Sequence, residues 1–488
     1  MSSVILLSIV LAYFALLLGI AFYTSRHSNN ESFFIGNRNS KWWIVAFGMI
    51  GTSLSGMTFI SVPGKVGGSG FQYFQIVIGY WLGYFAVAFI LLPLYYKMQL
   101  TSIYTYLDKR LGTSAYKTGA LFFMLSRTLG ATLRLYLVIK VLEKFILQDI
   151  GIPFELTAVL ILALILLYTF RGGVKTIVWT DTLQTTFMML ALLVCVGYIM
   201  HTLHLDLGAT WHAMKERGYT KMINTDPLQT GFFLKQILGG AFITIAMTGL
   251  DQEMMQKNIS VSNLGDSKKN MITFCFVLLI VNFIFLLLGG LLYLYAQANH
   301  ITAKPDDLFP MIAVKSGLPF YITVCFIIGL ISALFPSADG ALTALTSSFC
   351  IDILGMKNKS ELTEQQRSRT RLIVHNVFAL IFLGCVFFYR MIDDNKSLID
   401  TLLDIAGYTY GPLLALFVFG IFTKRAVRSA FVPVVCIIAP VVSYYLKQHD
   451  KELLNGYAIG TELLIINAFL TFLLLFLFSK KGTGEIAK

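Results

Sequence analysis

Residues Trp42–Gly64 read WWIVAFGMIGTSLSGMTFISVPG. The stretch holds no acidic or basic side chain. It is long enough for a bilayer core, which about 20 apolar residues in a helix span. Yet Gly48, Gly51 and Gly56 interrupt it, and Thr52, Ser53, Ser55, Thr58 and Ser61 add hydroxyls. Each glycine weakens a helix by about 1 kcal/mol relative to alanine. A helix broken inside a membrane frees backbone carbonyls, and these can hold a small cation. The same glycines also suit close helix packing through small residues. On this stretch alone both readings stand.

The rest of the chain has the same character. Of 488 residues, 56% are apolar and only 13% charged, against about 25% charged in soluble domains. There is too little polar surface to coat a globule, and too much apolar content for a disordered chain. Six cysteines, all in apolar runs, are too sparse for a disulfide scaffold and read as small core residues. The fold class is therefore an all-α polytopic membrane protein. Apolar spans fall near 3–23, 42–62, 71–96, 119–146, 153–170, 176–200, 231–250, 271–297, 319–352, 372–389, 398–422, 429–446 and 458–479. That makes about thirteen transmembrane helices.

The net charge of +12 fits basic loops on the cytoplasmic side rather than nucleic-acid binding. The first span lacks a basic leader and is followed by Arg26, so it reads as a retained anchor with the N-terminus outside. The loops from Arg26, Lys97, Arg171, Lys257, Lys357 and Lys424 and the tail from Lys480 then face the cytoplasm. They hold roughly 23 Lys and Arg, against roughly 10 in the opposite loops. No loop is long enough for a catalytic domain. Gly64-Lys65 is followed by Val66, so it does not end a phosphate-binding loop. One histidine, His375, lies inside a span and reads as a packed residue. An enzyme and a nucleotide-driven pump are thus unsupported.

Ionisable groups in hydrocarbon are costly and mark function. Here they are Arg127, Arg134, Asp181, Asp251, Asp339, Asp400 and Asp404. The seventh span reads GGAFITIAMTGLDQEMMQ from Gly239, with Gly240, Gly249 and then Asp251. It repeats the interrupted pattern of the second span five spans on. Paired interruptions in corresponding halves are the sign of an inverted-repeat transporter. The ninth span contains Pro336, Ser337, Asp339 and Gly340. Proline removes a backbone donor there and frees a carbonyl one turn earlier, which favours a cation site. Arg127 and Arg134 are seven apart and share a helix face. Such a face takes an anion or pairs with intramembrane carboxylates.

On these stretches the chain resembles the sodium/solute symporter family, which includes sodium/glucose, sodium/proline and bacterial sialic acid transporters. The similarity is carried by Arg171-Gly-Gly-Val-Lys175 with Val178-Trp-Thr-Asp181, by Gly249-Leu-Asp-Gln-Glu-Met-Met-Gln256 and by Gly420-Ile-Phe-Thr-Lys-Arg425. Thr52–Lys65 is especially similar to the sialic acid branch. The resemblance implies a LeuT-like fold: an extra helix over 1–25, inverted repeats over 42–201 and 231–422, and two further helices over 429–479. It implies a coupling sodium ion (Na+) held by carbonyls of Gly51, Leu54 and Ala333 and the hydroxyl of Ser337. A second hydroxyl frequent in the family falls on Pro336. A second sodium site would use Asp181 and Asp339, with Gly340 at a position that bears a hydroxyl in the family. Substrate positions carried over are Ser53, Ser55, Thr58 and Tyr73. The branch's carboxylate-binding Arg aligns with Gly130, which leaves Arg134 to serve from another turn. Asp251 matches a polar substrate position of the sugar transporters.

The expected function is sodium-coupled import of a sialic acid or other sugar acid. A neutral sugar or polyol, an amino acid or a monocarboxylate are alternatives, and a passive channel or a transporter-like sensor are alternative classes. The expected partners are a small-molecule substrate and the lipid bilayer, not nucleic acid. The expected setting is a bacterial inner membrane, with a monomer as the working unit.

Overall fold

The computed structural model describes residues 3–25, 40–356, 359, 361, 363–392 and 397–480. Nearly every apolar run becomes a helix, because only a helix satisfies its backbone groups within lipid. Among the described residues, nine helices are long and apolar enough to cross a membrane alone. A tenth crossing is the pair Phe233–Gly249 and Gln252–Ile259, bent by 64°. A count of thirteen also needs the shorter apolar helices Trp42–Ser53, Phe154–Leu167 and Leu463–Leu477 to cross. The outer surface carries large apolar side chains such as Phe22, Leu380, Ile437 and Phe469, while Asp181, Asp251, Asp339 and Arg127 are buried inside. This is the polarity of a multi-pass membrane protein.

One helical segment, Phe154–Thr202, covers two expected spans. A straight helix of that length would reach about 74 Å. Its two ends nevertheless lie at one face. Lys315 pairs with Asp149 at 2.8 Å, just before Phe154, and Tyr198 stacks edge-on against Tyr321 at 5.9 Å. Lys315 and Tyr321 flank the start of a single helix, Phe320–Ser348. The segment therefore does not run straight from end to end; the side chains of 171–175 lie outside the described ones. His375 is hydrogen-bonded between Thr169 and Thr346, 3.0 Å from each hydroxyl.

The two interrupted spans do break, beside Gly56 and Gly249 among the glycines singled out from sequence, and not at the others. The first divides into Trp42–Ser53 and Gly56–Ser69, with Leu54 at φ −87°, ψ 82° and Ser55 extended. Gly48 and Gly51 sit inside the first half. A Cβ on Gly48 would meet the Val178 carbonyl at 3.3 Å and Asp181 Cβ at 3.4 Å; one on Gly51 would meet Pro336 Cγ at 3.4 Å. Gly239 and Gly240 likewise lie within an unbroken helix, Phe233–Thr244. Gly240 packs against Gly79 of Tyr73–Ala86, 3.2 Å from its Cα to a built Cβ. These glycines serve close packing. The second break falls at Leu250 and Asp251, directly after Gly249.

Pro336 stands in the middle of Phe320–Ser348, which continues through it. That helix packs on Phe154–Thr202, on Thr113–Leu142 and on both halves of the first broken span. A two-stranded ladder, Ala426–Val427 with Ser479–Lys480, ties the last helix to the loop before Phe431–Gln448.

Candidate binding cavity and charge network

The first break opens into a cavity of about 100 Å3. Thr52, Ser53, Ser55 and Thr58 line one side of it. Tyr73, Tyr80 and Tyr84 come from the next helix, Thr244 and Thr248 from the second broken span, and Asn282 from Leu264–Ala298. A wider vestibule lies beyond, and the two share Tyr73 and Leu403. The vestibule walls include two ion pairs, Lys65 with Asp400 and Lys447 with Asp404. Thus four substrate positions carried over from the family, Ser53, Ser55, Thr58 and Tyr73, share one cavity with Arg134.

The two arginines differ in their partners. Arg127 and Arg134 leave one face of Thr113–Leu142, and both line the cavity. Arg127 is paired with Glu253, and its Nη1 lies 3.8 Å from Asp251 Oδ2. Arg134 is 8% exposed. Among the described residues it has no ion-pair partner, and its buried Nε makes no hydrogen bond. A buried guanidinium without a counter-charge is costly, so the cavity presents a ready anion site.

Asp251 does not line the cavity among the described residues. Its Oδ1 accepts from the backbone N–H groups of Glu253 and Met254 at 2.9 and 3.2 Å, which caps the short helix Gln252–Ile259. Tyr410 donates to its Oδ2 at 2.9 Å. The position matched to a sugar ligand therefore works here as a cap and as a counter-charge to Arg127.

Asp181 is fully buried and faces Lys257. The Lys257 ammonium lies 2.6 Å from Asp181 Oδ2, 2.5 Å from Thr52 Oγ1 and 3.4 Å from Glu253 Oε1. Lys257 is 3% exposed, so it is not the start of a cytoplasmic loop as its sequence position implied. Asp339 accepts from the Gly340 N–H at 2.5 Å.

Gly51 and Leu54 end the helix Trp42–Ser53, where the last carbonyls have no intrahelical donor. Among the described residues no backbone N–H outside the helix bonds to either carbonyl. Thr185 Oγ1 lies against Gly51, buried and without a hydrogen-bond partner, and Asp181 Oδ1 is likewise unpartnered. Across from them, Pro336 lacks the N–H that would bond the Ser332 carbonyl, and the Ser337 hydroxyl donates to the Leu334 carbonyl at 2.8 Å. Free carbonyls and orphaned oxygens at a buried junction suit a hard cation such as sodium.

Reading by residue type missed Glu253, Lys257, Gln184 and Thr185. Glu253 and Lys257 are four apart and so share a helix face, but the apolar window closes before them. Gln184 and Thr185 stand one turn beyond Asp181 and belong to the same buried stripe.

A sequence model described as the sodium:solute symporter family matches residues 33–435. The chain is 25% identical over 450 residues to the sodium/sialic acid symporter SiaT of Proteus mirabilis, covering 90% of this chain and 88% of that one. It is 27% identical to the sodium/sialic acid symporter NanT of Aliivibrio fischeri, covering 94% and 91%. Among solved structures, a Na+-coupled sialic acid symporter in a substrate-bound outward-open state matches with TM-score 0.83 at 21% identity, over 97% of this chain and 98% of that one. Mhp1, a nucleobase-cation-symport transporter, matches with TM-score 0.54 at 12% identity, over 91% and 92%. The fold is therefore the LeuT-like one expected.

Proposed function

This chain belongs to the sodium:solute symporter family, and from that premise we propose that it imports a carboxylated sugar, of the sialic acid kind, together with sodium. The observation that carries the substrate class is Arg134: a buried guanidinium without a carboxylate partner among the described residues, facing a cavity lined by hydroxyls and tyrosines. A planar fork of donors suits a carboxylate, and the hydroxyls suit the polar groups of a sugar. A neutral sugar would leave that charge uncompensated. The two relatives named for sodium and sialic acid point the same way.

In this reading the coupling ion binds where Gly51, Leu54, Ala333 and Ser337 converge, beside Thr185. It draws the two halves of the first break against Phe320–Ser348, and so sets the hydroxyls of Ser53, Ser55 and Thr58 around the solute. The repeats 42–201 and 231–422 then rock about the fixed site, with 1–25 and 429–479 as flanking helices. Thirteen crossings, the N-terminus outside and the C-terminus in the cytoplasm complete the arrangement, in a protein that works as a monomer. Such a carrier acts on a small solute within the cell membrane and has no use for nucleic acid.

Coupling requires sodium to tighten solute binding and solute to tighten sodium binding by the same factor. The test is the affinity of the purified protein for a labelled sialic acid in sodium and in choline. Tighter binding in sodium supports the reading; equal affinity overturns it.

A further inference from the structure

We propose that Lys257 is the resident cation of the second cation pocket, so that the protein carries one sodium ion per cycle. The proposal rests on the sodium-coupled reading above and extends it to stoichiometry and charge.

An ammonium has three protons to donate. Those of Lys257 face three oxygens: Asp181 Oδ2 at 2.6 Å, Thr52 Oγ1 at 2.5 Å and Glu253 Oε1 at 3.4 Å. Two carboxylates and a hydroxyl thus surround a tethered positive charge in the manner of a bound ion. All of these groups are buried. They come from three helical segments, Trp42–Ser53, the second half of Phe154–Thr202 and Gln252–Ile259, and Phe320–Ser348 packs against all three.

The partner position on Phe320–Ser348 is also filled. A Cβ on Gly340 would meet Glu253 Cδ at 2.6 Å and Cγ at 3.2 Å. A side chain at 340 would therefore press on the Glu253 carboxylate, which is shared between Lys257 and Arg127. A free sodium ion beside Asp181 Oδ2 would stand within a few ångströms of a fixed ammonium, with no bulk water to screen the repulsion. The place at Asp181 Oδ2, Thr52 and Glu253 does not take a second sodium ion while Lys257 fills it.

The consequence concerns charge. One sodium ion with one monocarboxylate is electroneutral. Uptake would then follow the sodium gradient and not the membrane voltage. Losing the ammonium while keeping Asp181 and Glu253 leaves a pocket that a second sodium ion completes, and transport then moves net positive charge.

The experiment is equilibrium binding of 22Na+ to the protein in nanodiscs, with currents from the same preparations on a supported membrane. The wild type is expected to bind a single ion and to give no steady solute-induced current. Lys257→Gln is expected to bind a second ion, to show a cooperative sodium response and to give an inward positive current. Lys257→Arg is expected to behave as the wild type. Should Lys257→Gln fail to fold without sodium, Lys257→Gln/Asp181→Asn removes both charges and is expected to bind a single ion. Two ions bound by the wild type, or by that double variant, would overturn the proposal. So would a folded Lys257→Gln that binds only one. A wild type that binds no 22Na+ would overturn the sodium-coupled reading itself, and that failure is distinct from a wrong stoichiometry.

Discussion

Arg127 and Arg134 leave the same face of one helix two turns apart, yet among the described residues only Arg127 pairs with carboxylates, at Glu253 and Asp251. The seven-residue spacing makes the two look equivalent in sequence. The second broken span divides their work, because Asp251 and Glu253 sit at its bend, level with Arg127.

Arg134 is expected to hold the solute. A hydrogen bond to a charged group contributes about 1.5–3 kcal/mol. Arg134→Met should raise the half-saturating concentration of a sialic acid about tenfold to a hundredfold, while binding of its methyl ester changes little. Titrations of the two ligands against both proteins check this. An equal loss for acid and ester would mean that Arg134 shapes the cavity without binding the carboxylate.

Arg127 is expected to hold the structure. Removing one partner of a buried ion pair costs about 3–5 kcal/mol. Arg127→Met should therefore lower the thermal unfolding midpoint well below that of Arg134→Met in the same detergent. Equal midpoints would contradict the division between the two arginines.

Ser337→Ala should raise the sodium concentration for half-maximal uptake by about tenfold, the scale of one lost ion–dipole contact. Solute affinity at saturating sodium should move far less. Sodium titrations at fixed solute, set beside solute titrations at high sodium, separate the two effects. A variant altered only in solute affinity would place the hydroxyl at the cavity and away from the ion.

Gly51 is a packing position at the junction of three helices. A Cβ there presses on Thr185 Oγ1 and stands 3.4 Å from Pro336 Cγ. Overpacking of this kind costs about 1–3 kcal/mol. Gly51→Val should lower the unfolding midpoint and impair sodium binding. Gly19→Val is the control, since nothing lies within 4 Å of a Cβ at that position. Similar effects from both would show that helix propensity, not the junction, is responsible.

Much of the fold was legible because lipid imposes a coarse rule: apolar runs of sufficient length become helices. The interrupted spans at Trp42–Gly64 and from Gly239 were legible as breaks, though their positions were so only in part. Of the glycines singled out, Gly56 and Gly249 flank the points where the backbone departs from the helix, at Leu54–Ser55 and at Leu250–Asp251, whereas Gly51 and Gly240 lie inside helices. Those glycines answer to neighbours from distant segments, Pro336 and Gly79, which no local window contains. The charge network was hidden for the same reason. Lys257 reads as a loop residue by position, and only the 64° bend after Gly249 carries it inward to Asp181. Asp251 was identified as important, but its partners Tyr410 and Arg127 are more than a hundred residues away on other helices.

The measurement that bears most directly on the account is uptake of a labelled sialic acid, beside labelled glucose, into proteoliposomes with inward sodium, potassium or proton gradients. The account predicts saturable uptake of the sialic acid under sodium alone, with glucose left outside. Uptake that is equal under potassium, or that follows a proton gradient without sodium, would contradict it.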